Sequence, residues 1–290
     1  MKKIGFIGTG IMGLPMALNI LNAGFPLQVW NRSKPKLELL EKHGANIAHS
    51  PQTLAKQVDI LILMLSDGET CNDMLFGEYE LINNLTSSST VIVMSSIPVE
   101  TAQCQSKKLY ERGINYLDAP VSGGEKGAIA GNLAIMVGGE DAVYRSVSEV
   151  LETMGRPVHV GPSGTGQLAK LVNQLIVATT IAAVSEGLVL AKQGGANPEK
   201  ILSALAGGFA DSLILQQHGK RMINEDFKPG GFAKWQLKDT HTALNYAKSL
   251  SLNLPVLTLV DTLFEHMVQE GWGELDHSGL IKYINKINRL

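Results

Sequence analysis

The sequence is poor in cysteine, in net charge and in long apolar runs, and each lack excludes a class of protein. Its 290 residues include only two cysteines, Cys71 and Cys104, without the spacing of a disulfide framework, so we expect reduced thiols in a cytosolic protein. A formal net charge of −2 argues against nucleic-acid and membrane-surface partners, because both favour a strongly basic patch. The seven histidines show no ligand spacing such as H-x-x-x-H, so we expect no metal site.

No segment has the character of a secretory signal or a membrane span. Lys2 and Lys3 precede an apolar run, as in a signal peptide, but glycines from Gly5 to Gly13 and then Pro15 interrupt that run. A membrane span needs about 18 or more apolar residues in succession, and no stretch reaches that length. We therefore expect a cytoplasmic protein with no membrane partner.

Short apolar runs alternate with helical stretches in the first half of the chain, which predicts a parallel, doubly wound α/β sheet of the Rossmann type. The predicted strands are Ile4–Ile7, Leu27–Trp30, Ile60–Leu65, Val91–Met94, Tyr116–Asp118, Leu133–Val137 and, as a last candidate, Pro157–Val160. Most are continuously apolar, as expected of strands covered on both faces. No convincing strand follows residue 161. We predict a Rossmann domain over residues 1–162 and an all-α C-terminal domain over residues 163–290.

A long apolar stretch, Leu168–Ala191, opens the second half and is long enough for a helix of about six turns. A helix that is apolar on nearly all sides is normally buried. We expect this one to join the two domains and to be covered between domains or between subunits.

A glycine motif lies at the first strand–helix junction and predicts a dinucleotide site. The residues that match G-x-G-x-x-G are Gly8, Thr9, Gly10, Ile11, Met12 and Gly13. They directly follow the strand Ile4–Ile7 and open the helical stretch Met12–Ala23. In this context the glycines allow a tight turn, close approach of the pyrophosphate and close helix–strand packing. The helix N-terminus then offers unpaired N–H groups to the phosphates.

The end of the second predicted strand selects the cofactor. An NAD site usually carries Asp or Glu there, whereas this chain reads Asn31, Arg32, Ser33. Arg32 suits an anionic 2′-phosphate and can stack on adenine, while Asn31 and Ser33 can donate hydrogen bonds. We therefore predict NADP(H) as the preferred cofactor. If Arg32 is instead an ordinary surface cation, NAD(H) would serve as well.

Two further strings point to substrate chemistry. Ser122, Gly123 and Gly124 follow a predicted strand and offer a hydroxyl and exposed N–H groups that suit a carboxylate, although a simple turn would read the same. Lys170 and Asn173 share one face of the apolar helix. Burial would lower the pKa of Lys170 towards that of a general acid/base, unless its side chain reaches water near the helix start.

The motifs together resemble one family. Four motifs occur in the order seen in the β-hydroxyacid (3-hydroxyisobutyrate) dehydrogenases: Phe6–Asn19, Asp118–Gly124, Gly161–Gln174 and the pair Lys238-Asp239. Alone, this last pair would indicate only a solvated charge pair. The resemblance covers essentially the whole chain. It implies an oxidoreductase that interconverts a small 3-hydroxy carboxylate and its semialdehyde, and it implies a homodimer or homotetramer.

The resemblance also implies roles for individual residues. Lys170 would be the catalytic lysine, and Asn173 would hydrogen-bond a substrate oxygen. Ser122, Gly123 and Gly124 would hold the substrate carboxylate. Leu65 and Ser96, at the ends of two predicted strands, would contact the cofactor, and Lys238, oriented by Asp239, would lie where cofactor and substrate meet.

Within the family, four stretches favour reduction of tartronate semialdehyde (2-hydroxy-3-oxopropionate) to glycerate. They are Leu171–Ala178, Ile181–Glu186, Asp226–Gly230 and Asp276–Leu280. Asn31 departs from the Asp that such members tend to carry, which bears on the cofactor and not on the reaction. The alternatives are methylmalonate semialdehyde (as in a 3-hydroxyisobutyrate dehydrogenase), succinic semialdehyde and glyoxylate. A non-catalytic NADP-binding module is the alternative from another class. An imine reductase usually lacks the lysine, and a 6-phosphogluconate dehydrogenase would need a larger helical domain.

Overall fold

The structure, a computed structural model, describes all residues from Met1 to Leu290. Its packing divides the chain into two compact units, Met1–Lys170 and Leu171–Leu290. The division falls in the second turn of a long helix. The predicted boundary between residues 162 and 163 precedes that helix and stays a prediction.

The first unit contains a nine-stranded sheet with helices on both faces. The strands are β1 Ile4–Ile7, β2 Leu27–Trp30, β3 Asn46–Ile47, β4 Ile60–Leu63, β5 Thr90–Val93, β6 Asn115–Asp118, β7 Val121–Ser122, β8 Leu133–Gly139 and β9 Gly155–Gly161. The helices are α1 Gly13–Asn22, α2 Glu38–Lys42, α3 Pro51–Ala55, α4 Gly68–Leu75, α5 Val99–Tyr110, α6 Gly124–Ile129 and α7 Asp141–Glu152. This architecture confirms the predicted Rossmann-type unit.

Six strands form a parallel sheet in the order β3-β2-β1-β4-β5-β6. Beyond β6 the prediction of a parallel sheet is wrong, because β8 runs antiparallel to both β6 and β7 and parallel to β9. Strand direction depends on how the connections run, which an apolar pattern does not report. The very short strands β3 and β7 were also not predicted.

Alternating side chains of the buried strands supply two apolar cores, one on each face of the sheet. Ile60 and Ile62 of β4 pack into one core with Phe6, while Leu61 and Leu63 pack into the other. All four residues of β1, of β4 and of β5 are buried. Burial on both faces explains why these strands read as continuous apolar runs.

The second unit is helical. Its helices are the main part of α8 Thr165–Gln193, then α9 Pro198–Leu205, α10 Leu213–Ile223, α11 Ala233–Ser249, α12 Pro255–Met267 and α13 Leu280–Ile287. Only an isolated antiparallel bridge between Phe232 and Asp276 interrupts the helical pattern. The prediction of an all-α C-terminal region is therefore confirmed.

Helix α8 is less completely covered than the sequence suggests. Val172, Ile176 and Leu190 are 50%, 58% and 75% exposed. By length and composition α8 is also the one helix that could cross a membrane, although the core helix of a soluble protein can have the same length and composition. One face of the helix is thus not covered within a single chain, and its burial between subunits stays a prediction.

Candidate functional site

The glycine loop Gly8–Gly13 leaves β1 and enters α1, and its three glycines have different surroundings. Gly8 has φ +100°, and a Cβ there would lie 2.1 Å from the carbonyl oxygen of Met64. A Cβ on Gly13 would lie 1.9 Å from the carbonyl oxygen of Gly8. A Cβ on Gly10 would meet no atom within 4 Å. Close packing therefore requires Gly8 and Gly13, whereas Gly10 faces open space.

Several features of this loop fit the pyrophosphate of a dinucleotide. The loop lies beside β4 at the point where the strand order reverses, which is where open α/β sheets bind ligands. Helix α1 begins without a capping side chain and without an acidic residue in its first turn. Its N-terminal N–H groups therefore remain suited to an anion. The hydroxyl of Thr9 is buried and has no hydrogen-bond partner.

The predicted cofactor-selecting residues lie just after β2. Asn31 is held in place, because its Oδ1 accepts the Thr9 N–H at 3.1 Å and its Nδ2 donates to the Ser33 carbonyl at 3.0 Å. Arg32 and Ser33 are exposed. The Asn31 amide thus joins the glycine loop to the Arg32–Ser33 turn, a link that the sequence prediction did not include. Both ends of the Asn31 amide are thus occupied by hydrogen bonds within the protein, whereas the Arg32 side chain of the same turn stays exposed.

Leu65 and Ser96 lie beyond the carboxyl ends of the adjacent parallel strands β4 and β5. Both are half-buried. The Leu65 N–H donates to the Oγ of buried Ser95 at 2.7 Å, so the two strand-end loops are joined. This is the edge of the sheet where the glycine loop also lies.

The Ser122–Gly124 segment runs from the end of the short strand β7 to the start of α6. Ser122 is half-buried, and Gly123 and Gly124 are exposed with φ values of +138° and +60°. Residues with side chains rarely adopt such backbone conformations, so both glycines are required by the turn itself. The turn leaves the backbone of two consecutive residues accessible, as a carboxylate site needs.

Lys170 is half-buried in the second turn of α8, and a buried carboxylate holds the start of that helix. Asp118 ends β6 with no exposed surface; its Oδ1 accepts the Gly164 N–H at 2.7 Å and its Oδ2 accepts the Gln167 N–H at 2.8 Å. Burial raises the pKa of Asp118 above its ordinary value, although the N–H groups of Gly164 and Gln167 act in the opposite direction. The first turn of α8 is therefore fixed to the end of β6.

In the second unit, a network of amides and charges surrounds Gln174. Its Nε2 donates to the Asp239 Oδ2 at 2.8 Å and to the Gln236 Oε1 at 3.2 Å, while the Asn173 Nδ2 donates to its Oε1 at 2.8 Å. Lys238 Nζ lies 3.3 Å from Asp239 Oδ1. The structure thus brings the predicted residues Asn173, Lys238 and Asp239 into one network.

Sequence reasoning assigned no role to four residues that connect the predicted ones. All four are polar and at least partly buried, and each forms hydrogen bonds either at the start of α8 or in the network around Gln174. They are Asp118, Gln167, Gln174 and Gln236. A signal was present, because Gln167 and Gln174 interrupt an otherwise apolar helix. A polar residue in such a helix needs a partner, but the sequence does not say which one.

A further cluster lies in the second unit, where the side-chain donor atoms of His218, Asp276 and His277 are all within 4.8 Å of one another. That spacing would suit a metal ion. However, both oxygens of fully buried Asp276 already accept hydrogen bonds, from Ser278 at 2.6 and 3.0 Å and from the Gly230 and Gly231 N–H groups at 2.9 and 3.1 Å. Arg221 Nη1 adds a cation 3.4 Å away. We therefore treat the cluster as part of the fold.

Two family models together match nearly the whole chain. The model described as the NAD binding domain of 6-phosphogluconate dehydrogenase matches residues 3–164, and the one described as NAD-binding of NADP-dependent 3-hydroxyisobutyrate dehydrogenase matches residues 164–284. Their junction falls immediately before α8.

Individual relatives agree with these models. The chain is 43% identical over 282 residues to a 2-hydroxy-3-oxopropionate reductase of Escherichia coli, covering 97% of this chain and 96% of the relative. A 3-hydroxyisobutyrate dehydrogenase of Mycobacterium tuberculosis, solved with L-serine, superimposes with a TM-score of 0.90 at 27% identity and covers 98% and 99% of the two chains. A 3-hydroxyisobutyrate dehydrogenase of Salmonella typhimurium gives 0.88 at 26% identity, covering 98% and 100%. The chain therefore belongs to the 3-hydroxyisobutyrate dehydrogenase family, and it is an NAD(P)-dependent 3-hydroxyacid dehydrogenase.

Proposed function

We propose that the chain reduces tartronate semialdehyde to glycerate and prefers NADPH. The observation that carries the substrate is the 43% identity to the E. coli reductase over almost the full length of both chains. The M. tuberculosis relative was solved with L-serine, which is itself a small 3-hydroxy carboxylate, and this supports the substrate class. The exposed Arg32 after β2, where a carboxylate would favour NAD, supports the cofactor preference.

In this proposal the residues of the chain place the substrate and move one proton. The cofactor, whose nicotinamide supplies the hydride when bound, would be held by residues of both halves of the chain. These are the loop Gly8–Gly13, the Asn31–Ser33 turn, Leu65, Ser96, Lys238 and Asp239. Ser122, Gly123 and Gly124 bind the substrate carboxylate through the hydroxyl and backbone N–H groups. Asn173 donates a hydrogen bond to a substrate oxygen, and Lys238 contributes positive charge to the substrate side.

Lys170 is assigned as the general acid. As the aldehyde carbon is reduced, negative charge develops on the aldehyde oxygen, and the Lys170 ammonium donates a proton to that oxygen. In the oxidation direction the neutral amine accepts the hydroxyl proton. The fixed start of α8 limits how far Lys170 can move away from the strand ends, which suits a group that must be positioned before reaction.

The substrate assignment is tested by steady-state oxidation of NADPH and NADH with four aldehydes: tartronate, succinic and methylmalonic semialdehydes and glyoxylate. We expect the highest kcat/KM with tartronate semialdehyde and NADPH. A higher value with another aldehyde would retain the mechanism and reject the substrate. Binding of NADPH without turnover of any member of the panel would favour the non-catalytic module instead.

Replacing the proposed acid should separate chemistry from binding. We expect Lys170→Ala to lower kcat by at least about 10²-fold, because a positioned acid contributes about 10²–10⁴-fold to the rate. The Kd for NADPH, measured by fluorescence titration, should stay near the wild-type value. Lys192→Ala removes an exposed lysine from the last turn of the same helix and serves as the control. Near-normal turnover of Lys170→Ala would reject the assignment.

We also propose that the chain assembles into a homodimer or homotetramer through the exposed apolar face of α8. Val172, Ile176 and Leu190 lie within about 40° of one another around the helix, at 100° per residue. Single chains seldom expose a stripe of large apolar side chains without a partner. A cytoplasmic location remains the prediction.

A further inference from the structure

Gln167 occupies an unusual position in the first turn of α8. It is 1% exposed, and its side-chain amide hydrogen-bonds the backbone on both sides of Ser96. Its Oε1 accepts the Ile97 N–H at 3.0 Å, and its Nε2 donates to the Ser95 carbonyl at 2.9 Å. The loop that carries Ser96 is therefore held by a residue 70 or more positions further along the chain.

The backbone of Gln167 cannot readily shift to accommodate a change in that loop. Asp118 accepts the Gln167 N–H at 2.8 Å, and it binds the Gly164 N–H as well. The next residue towards the N-terminus, Gly166, is packed so closely that a Cβ there would lie 2.5 Å from the carbonyl oxygens of both Asp118 and Met136. Strands β6 and β8 thus fix the first turn of α8, and with it the backbone position from which the Gln167 side chain extends.

The Ser96 loop is also fixed from its other side. Ser95 is fully buried, and its Oγ accepts the Leu65 N–H at 2.7 Å. Hydrogen bonds therefore run without a break from the end of β4 through Ser95 and Gln167 to Asp118 at the end of β6. Lys170 lies three residues after Gln167, which is one turn of the same helix.

We propose that Gln167 is a positioning residue that sets the distance between the Ser96 loop, assigned to the nicotinamide side of the cofactor, and the helix turn that carries Lys170. The inference rests on the proposed function, since it assigns the loop to the hydride donor and Lys170 to the proton donor. Hydride and proton must reach the two ends of one carbonyl group, so the two donors need a defined separation. A glutamine with both ends bonded to backbone supplies a spacer of defined length.

The test compares two buried glutamines of the same unit. Gln105 is also 1% exposed and also bonded at both ends, with its Nε2 donating to Asn72 at 2.8 Å and its Oε1 accepting from the Tyr116 hydroxyl at 3.0 Å. Gln105→Ala therefore removes a comparable pair of buried hydrogen bonds at a place to which no catalytic role is assigned. Gln167→Glu is the companion of Gln167→Ala: it retains an acceptor for the Ile97 N–H but replaces the donor to the Ser95 carbonyl by an oxygen.

We expect Gln167→Ala to lower kcat on the order of 10²-fold, the loss that a displacement of about 1 Å can cause. The primary isotope effect with C4-deuterated NADPH should rise, since hydride transfer becomes slower than the other steps, and the Kd for NADPH should change little. In the protein without cofactor, hydrogen exchange of the Ile97 amide should accelerate. Gln167→Glu should show the same losses, because it removes the donor to the Ser95 carbonyl, and Gln105→Ala should show none of these effects.

Three results would overturn the proposal. They are a wild-type kcat and isotope effect in Gln167→Ala, unchanged exchange at Ile97, or equal losses of kcat in the Gln105 and Gln167 variants. Failure of the proposed function looks different. The wild-type protein would then not oxidise NADPH with any semialdehyde, or Lys170→Ala would keep its turnover, whatever the Gln167 variants do to exchange at Ile97.

Discussion

Arg32 is the residue on which the proposed choice between NADP(H) and NAD(H) depends. It is exposed in a turn that Asn31 holds against the glycine loop through the Thr9 N–H and the Ser33 carbonyl. A guanidinium in a turn fixed in this way can meet a 2′-phosphate without first ordering the backbone. An Asp at position 31 would still accept the Thr9 N–H, but it would repel both the Ser33 carbonyl and a 2′-phosphate.

We expect Arg32→Ala to lower kcat/KM for NADPH by about 10- to 150-fold, which corresponds to about 1.5–3 kcal/mol for hydrogen bonds to a charged group. The value for NADH should hardly change, because NADH lacks the 2′-phosphate. Steady-state kinetics with both cofactors measures the ratio. Arg145→Ala, at an exposed arginine on α7, is the control. Equal losses of kcat/KM with NADPH and NADH would mean that Arg32 does not bind the 2′-phosphate.

At the scale of elements, Asp276 joins segments of the second unit that are distant in sequence. It binds the Gly230 and Gly231 N–H groups just before α11, it accepts from Ser278, and it lies 3.4 Å from Arg221 of α10. Burial by itself would raise the pKa of Asp276, but the neighbouring imidazoles of His218 and His277 and the hydrogen bond from Ser278 lower it far below its ordinary value. The ionised carboxylate therefore stabilises the unit that carries Lys238 and Asp239.

Asp276→Asn should lower the free energy of unfolding at pH 7 by about 3–5 kcal/mol, the usual cost of breaking a buried ion pair. Because the pKa in the folded state is depressed, this contribution is complete above the unfolded carboxyl pKa of about 3.9 and is lost as the pH falls further. The difference between wild type and variant should thus shrink below about pH 4. Urea unfolding followed by circular dichroism at several pH values measures it, with Glu265→Gln as an exposed control on α12. A difference independent of pH would contradict the assignment to the carboxylate.

At the scale of the whole molecule, the apolar face of α8 is the feature that a single chain leaves unexplained. Val172 and Leu190 are 18 residues apart, about five full turns, and therefore point in the same direction from the helix axis. A stripe of this length suits a helix–helix contact between copies of the chain. In that case the expectation that α8 is covered between subunits would hold in the assembly.

Ile176→Glu should weaken the assembly, because it introduces a charge at an exposed apolar position one turn from the Val172 end of this face. Light scattering coupled to size-exclusion chromatography should show a shift from oligomer to monomer at low protein concentration. Leu250→Glu, at an exposed leucine after α11, should leave the mass unchanged. An unchanged mass in Ile176→Glu would place the interface elsewhere.

Much of the fold and part of the site could be predicted because they depend on local pattern. A buried strand followed directly by Gly8, Gly10 and Gly13 has few other uses, and the continuous apolar runs of β1, β4 and β5 reflect burial on both faces. Lys170 stood out because a lysine in an apolar helix requires an explanation. Each of these signals is contained within a few turns or a single strand.

The sequence by itself determined the Rossmann-type first half, the helical second half, the glycine loop and the candidate acid. The tertiary structure decided the antiparallel edge at β8, the exposed face of α8 and the partners of the buried polar residues. Asp118 meets Gly164 and Gln167, Gln174 meets Asp239, and Asp276 meets Gly230, each across 46 or more residues. A local pattern shows that a buried polar group needs a partner, but only the path of the chain in three dimensions determines which group becomes that partner.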